Sequence, residues 1–149
     1  MSVESGARVF VDTNVLLYSF DTSAGAKRER ALTLMAQLWR QGNACVSVQV
    51  LQEFYVNVTR KVRPPLEPET AYSIVASLSR WRVHAPSAED VLSAVALHRE
   101  ARVSFWDAMV VTSAARLGCR VLYSEDLNPG QHLAGVEVVN PFGGDGGHV

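Results

Sequence analysis

"VSFWDAMVVTSAARLGCRVLYSEDLN", Val103 to Asn128, decides the architecture of this chain. Ser104 with Asp107 three residues on is a capping-box-like helix start, and Gly118 is its stop. Arg120 to Tyr123 then reads as a strand, followed by a turn sequence ending in Asn128, Pro129 and Gly130. A helix handed directly to a short apolar strand is the unit from which layered α/β folds are made.

The same alternation extends through the chain. Arg8 to Val11 reads as a first strand. Ala26 to Gln41 is helical in period, with Ala31, Leu34, Met35 and Leu38 on one face and Gly42 as its stop. Ala44 to Ser47 is a second strand, followed by Leu51, Phe54, Tyr55 and Val58 at helical spacing until the basic "RKVRPP" ends that helix before Pro64. Ala71, Ile74, Val75 and Leu78 mark a third helix, and Trp81 to His84 a weak strand. Ser87 with Asp90 starts the helix carrying Val91, Leu92 and Val95, and Val136 to Val139 is a last strand. Apolar runs too short for helices, alternating with helical segments, predict an α/β layer structure around a mainly parallel sheet.

The chain has 149 residues, 48% of them hydrophobic and 19% charged, which fits one compact domain with a real core. A formal net charge of -1 excludes a globally basic nucleic-acid binder, so any such contact is local. Cys45 and Cys119 lack the spacing of a zinc site or redox motif and read as buried free thiols of a reducing compartment. Met1 to Arg8 lack the apolar core of a signal peptide, and no apolar run approaches a membrane span. A cytoplasmic protein is expected. The glycine-rich end, residues 143–149, reads as a disordered tail after a single domain over residues 1–142.

Most of the fifteen acidic residues lie in polar settings, Glu29, Glu67, Glu69, Glu89, Asp90 and Glu100 among them, and read as solvated. Asp12 in "VFVDTNV", Glu53 in "VLQEFYV" and Asp107 in "SFWDAMVV" sit among large apolar side chains with no Lys or Arg alongside. Asp126 follows a predicted strand directly. In open parallel sheets ligands bind outside the carboxyl ends of the strands, and Asp12 and Asp126 fall at such ends. Right-handed crossovers bring the helix beginnings bearing Glu53 and Asp107 to the same rim. Converging carboxylates either share protons or bind a cation. An all-oxygen donor set suits Mg²⁺ or Mn²⁺, and the matching substrate is a phosphodiester.

Each acid also has a plain structural reading. Asp12 would serve as an Asx turn, Asp107 as the capping partner of Ser104, and Asp126 as a turn residue. Motifs for other chemistries are missing: there is no GxxxxGK[ST], GxSxG or HExxH, and His84, His98, His132 and His148 lack metal-ligand spacing. Trp39, Trp81 and Trp106 read as core or partner surface, and Arg60, Lys61 and Arg63 as a solvated helix end or a phosphate contact.

"VFVDTNVLLYSFD", "VSVQVLQEFYVNVTRK", the stretch from Val103 to Asn128 and the closing "VNPF" together resemble a PIN-domain ribonuclease, in particular the VapC-like toxins of bacterial toxin-antitoxin modules. The resemblance implies a three-layer α/β/α sandwich with a parallel central sheet, often as a homodimer. It further implies metal-dependent hydrolysis of RNA, with Asp12, Glu53, Asp107 and Asp126 as Mg²⁺ or Mn²⁺ ligands, Asn14 and Ser124 as supporting hydrogen-bonding residues, and Glu125 as an alternate for Asp126. A cognate antitoxin, its tail entering the acidic cleft, is the implied inhibitor. Two rivals stand beside it. A phosphoacceptor receiver domain needs an acidic pair near the first strand and a Lys after the last, whereas no Lys follows Lys61. A non-catalytic RNA-binding or scaffold module would keep the acids as a structural cation site.

Overall fold

The computed structural model describes residues 6–143. The expected tail, residues 143–149, lies outside them except for Gly143. Six strands form one sheet: β1 (Val9–Val11), β2 (Ala44–Ser47), β3 (Arg82–His84), β4 (Val121–Tyr123), β5 (His132–Leu133) and β6 (Val136–Val139). Their order across the sheet is β3-β2-β1-β4-β6-β5, all parallel except the β5–β6 pair.

The helices are α1 (Thr13–Tyr18), α2 (Ala26–Gln41), α3 (Val48–Val58), α4 (Pro68–Leu78), α5 (Ala88–Ala101) and α6 (Phe105–Arg116). α1 packs on α2 and α3, and α3 on α4, whereas α6 packs across β2, β4 and β6 with α5 against it. The sheet is thus the middle layer of three. Every residue of β1 and β2 is buried, as expected for parallel strands covered on both faces. Phe10, Leu122, Phe54 and Leu16 fill the core on the two sides.

The predicted helix Ala26–Gln41 ends as expected, at Gly42 with a left-handed φ of 68°, a conformation glycine adopts without a Cβ penalty. Four features depart from the sequence reading. α1 follows β1 with no loop, because Asp12 caps it directly. β5 is a two-residue strand returning on β6 through Ala134 and Gly135, both at positive φ. Tyr55 lies on the solvent side of α3, where Val50, Phe54 and Val58 are the buried positions. On α5 the apolar Val91, Leu92 and Val95 are exposed while Asp90 and Ala94 turn inward.

The inward turn of Asp90 corrects its reading as a solvated charge. Its carboxylate accepts from the Ser87 backbone at 2.8 Å, from Arg116 Nε at 2.7 Å and pairs with His84 Nε2 at 3.2 Å. His84 Nδ1 meets Ser113 Oγ at 2.8 Å, which joins β3 to α6. The Ser87 backbone and Arg116 hold the Asp90 carboxyl down at about 2.

Cys45 and Cys119 are buried and free. Trp39 and Trp81 pack with ring centroids 5.2 Å apart and planes inclined at 53°. No helix among the described residues is long and apolar enough to cross a membrane.

Candidate metal centre

β1 is central in the sheet, yet the chain passes from it first to β2 and β3 and only later to β4 on the opposite side. The crevice between the carboxyl ends of β1 and β4 is therefore the topological switch point, where this class of sheet leaves room for a ligand. Asp12 is the residue after β1, and Ser124 to Asp126 follow β4.

Carboxylate oxygens of Asp12, Asp107 and Asp126 lie within 4.8 Å of one another. Asp12 is buried, Asp107 half-buried and Asp126 exposed, so the cluster opens to solvent on one side. Asp12 Oδ1 accepts from the Thr13 backbone N–H at 2.7 Å, and Oδ2 accepts from Ser124 Oγ at 2.8 Å. Its capping role and its place in the cluster thus coexist, since each oxygen keeps a lone pair free. Ser124 Oγ also accepts from the Asp126 backbone N–H at 3.1 Å, so one hydroxyl ties the two acids together. Asp107 stands in the first turn of α6, its N–H donating to Ser104 Oγ at 3.0 Å.

Glu53 stands beside this triad rather than in it. Its Oε1 accepts from Thr13 Oγ1 at 2.7 Å and its Oε2 from Gln49 Nε2 at 3.2 Å. The Gln49 amide also reaches the Trp106 carbonyl at 3.4 Å, linking α3 to the start of α6. Thr13 and Gln49 were not singled out in the sequence, although Thr13 sits between Asp12 and Asn14. Asn14 Oδ1 accepts from the Glu125 backbone N–H at 3.4 Å, and its buried Nδ2 has no hydrogen-bond partner among the described residues.

Burial pushes Asp12 up to about 7, against the opposing pull of Ser124 and the Thr13 N–H, and the charges of Asp126 and Glu53 add to the rise. Asp107 is raised for the same reasons, burial first and then the same two neighbours, with Ser104 opposing. None of these four acids makes an ion pair with a Lys or Arg among the described residues. Negative charge is concentrated here without a protein cation to offset it, and three carboxylates at this spacing with oxygen donors only fit a hard divalent ion. A groove of about 770 Å³ lies elsewhere, between α2 and β6, and none of the four acids lines it.

The PIN-domain family model matches residues 9–131, from β1 to the loop before β5. This chain is a PIN domain. Among solved structures, the fold is similar to a toxin-antitoxin complex from Klebsiella pneumoniae, with a TM-score of 0.67, 20% identity, and 91% of this chain and 98% of that one covered. It is also similar to Mycobacterium tuberculosis VapC20, a sarcin-ricin loop cleaving toxin, with a TM-score of 0.58, 23% identity, and 79% and 89% covered. VapBC2 from Rickettsia felis, bound to a DNA fragment from its promoter, gives a TM-score of 0.60 at 15% identity, with 87% and 96% covered. At these identities the likeness is one of fold. Comparison with curated proteins returns no match. The three-layer sandwich expected from the sequence is the fold of this PIN domain.

Proposed function

We propose that this PIN domain is a divalent-metal-dependent endoribonuclease and the toxin of a toxin-antitoxin pair. The observation that carries the reading is the convergence of Asp12, Asp107 and Asp126 at the switch point with no protein cation among them. Family membership supports nuclease chemistry, and the toxin role is taken from the relatives of like fold.

Asp12, Asp107 and Asp126 would supply carboxylate oxygens to Mg²⁺ or Mn²⁺, with Glu53 as the fourth acid of the site. A divalent ion held there would supply Lewis-acid chemistry, activating water near neutral pH and stabilising the leaving oxygen. Ser124 fixes the orientation of Asp12 and the approach of Asp126, and Asn14 holds the loop that carries them. Thr13 and Gln49 hold the Glu53 carboxylate beside the triad, where it accepts a proton from an incoming water. Hydrolysis is direct and needs no covalent enzyme intermediate. The open face of the cluster admits a polymer, and its negative charge suits a basic antitoxin side chain as inhibitor. The protein acts in the cytoplasm as a homodimer.

The test is cleavage of mixed cellular RNA by antitoxin-free protein in Mg²⁺ or Mn²⁺ against EDTA, with Asp107→Asn alongside. Discrete products that require both metal and Asp107 are expected. Folded protein that cleaves in neither metal would overturn the reading and leave a non-catalytic RNA-binding module.

A further inference from the structure

Glu125 neighbours Asp126 but points away from the acids. Its Oε1 accepts from the Tyr18 hydroxyl at 2.7 Å, and its Oε2 accepts from the Lys27 ammonium. Lys27 Nζ also sits 5.0 Å from the centroid of the Tyr18 ring. The ring packs edge-on against Phe142. Glu125 is thus an anchor bound to Tyr18 of α1 and Lys27 of α2.

The residue it anchors matters to the site. Asp126 is exposed, and among the described residues no hydrogen bond or ion pair reaches its carboxylate. Its own backbone N–H donates to Ser124 Oγ, and the chain on either side is held in turn: Ser124 by Asp12, the Glu125 backbone by Asn14, the Glu125 side chain by Tyr18 and Lys27, and Leu127 by burial in the core. Partners behind a ligand commonly set metal affinity by holding that ligand in place.

We propose that Tyr18, Lys27 and Glu125 form a clamp that positions Asp126 for the divalent cation, with Glu125 a positioning residue and not a metal ligand. This rests on the metal-site reading above. It makes a prediction of unusual sign. By Coulomb's law alone, removing the Lys27 charge near an acidic cluster tightens cation binding. A Glu125 released to reach the ion would tighten it as well. The clamp requires the reverse, because the loop bearing Asp126 loses its anchor.

The experiment is titration calorimetry of Mn²⁺ into RNA-free protein, comparing wild type with Lys27→Met and Tyr18→Phe. Lys27→Met is expected to weaken Mn²⁺ binding about tenfold, and Tyr18→Phe to weaken it less but in the same direction. Unchanged or tighter binding in Lys27→Met overturns the clamp. Thermal unfolding in EDTA checks that each variant folds, and if Lys27→Met does not, Tyr18→Phe decides by the same criterion. Wild-type protein that binds no Mn²⁺ removes the metal site and the clamp together. Mn²⁺ binding with the expected losses but without RNA cleavage removes only the nuclease reading.

Discussion

Replacing Asp12 by Asn is expected to stabilise the metal-free protein at pH 8 and to lose that advantage when Mn²⁺ is present. The rise of this carboxyl from 3.8 to about 7 corresponds to about 4 kcal/mol between its two protonation states. A carboxyl with a higher pKa folded than unfolded binds more protons in the folded state, so stability falls as pH rises through the interval from about 4 to 7. Above that interval the folded protein carries the whole penalty of an ionised, desolvated Asp12. Asn removes the charge but keeps one acceptor oxygen where Asp offers two, to Thr13 N–H and Ser124 Oγ. That loss and some repacking cost about 1–2 kcal/mol. The net gain is about 2 kcal/mol, or roughly 5 °C in melting temperature for a domain of this size. Urea unfolding in EDTA from pH 4 to 8 reads it directly: wild-type stability declines across the interval and the Asn variant declines less, Asp107 keeping its own raised carboxyl. Mn²⁺ then stabilises wild type and not the variant, which reverses their order. An Asn variant that is less stable than wild type in EDTA at pH 8, or a wild type indifferent to pH across the interval, would refute the reasoning.

Asp107→Asn is expected to lower RNA cleavage at least a hundredfold, measured on the same RNA pool, while circular dichroism and melting temperature show the fold intact, because only a half-buried charge is removed. Ser124→Ala deletes the hydroxyl shared by Asp12 and Asp126 and is expected to weaken Mn²⁺ binding about tenfold by calorimetry. Asp90→Asn should melt below wild type at pH 6. Because the folded pKa of Asp90 is depressed to about 2, its contribution is present above about pH 4 and vanishes on descent through pH 2, where the two melting curves converge.

The alternation of helix and strand was legible because parallel strands covered on both faces leave short apolar runs with abrupt capping signals between them, as at Ser87 before α5 and Ser104 before α6. The acids stood out because a carboxylate among apolar side chains is costly without a partner. The convergence of Asp12, Asp107 and Asp126 followed from position, two at strand ends and one at a helix beginning, whereas Glu53, in the middle of α3, stands beside them. What the sequence hid was long-range pairing. Asp90 looked solvated since its capping motif is local, while Arg116, the partner that draws it inward, comes 26 residues later. Glu125 looked interchangeable with Asp126 since nothing in "SEDL" reveals Lys27, 98 residues before it. β5 escaped because two residues have no period to read. α5 was assigned the wrong inner face since its apolar positions lie outward while small Ala94 packs against α6.

The bond between Ser124 and Asp12 spans 112 residues of chain. β1 emerges first from the ribosome, but its neighbour β4 is among the last elements made. At roughly 5–20 residues per second, Asp12 waits on the order of 10 s for the hydroxyl that orients it. A nascent chain that stops short of Ser124 has one acid from the first strand and the acids of α3 and α6, but neither the hydroxyl nor Asp126 to gather them. The order of synthesis itself delays the completed acidic cluster until almost the whole domain has been built.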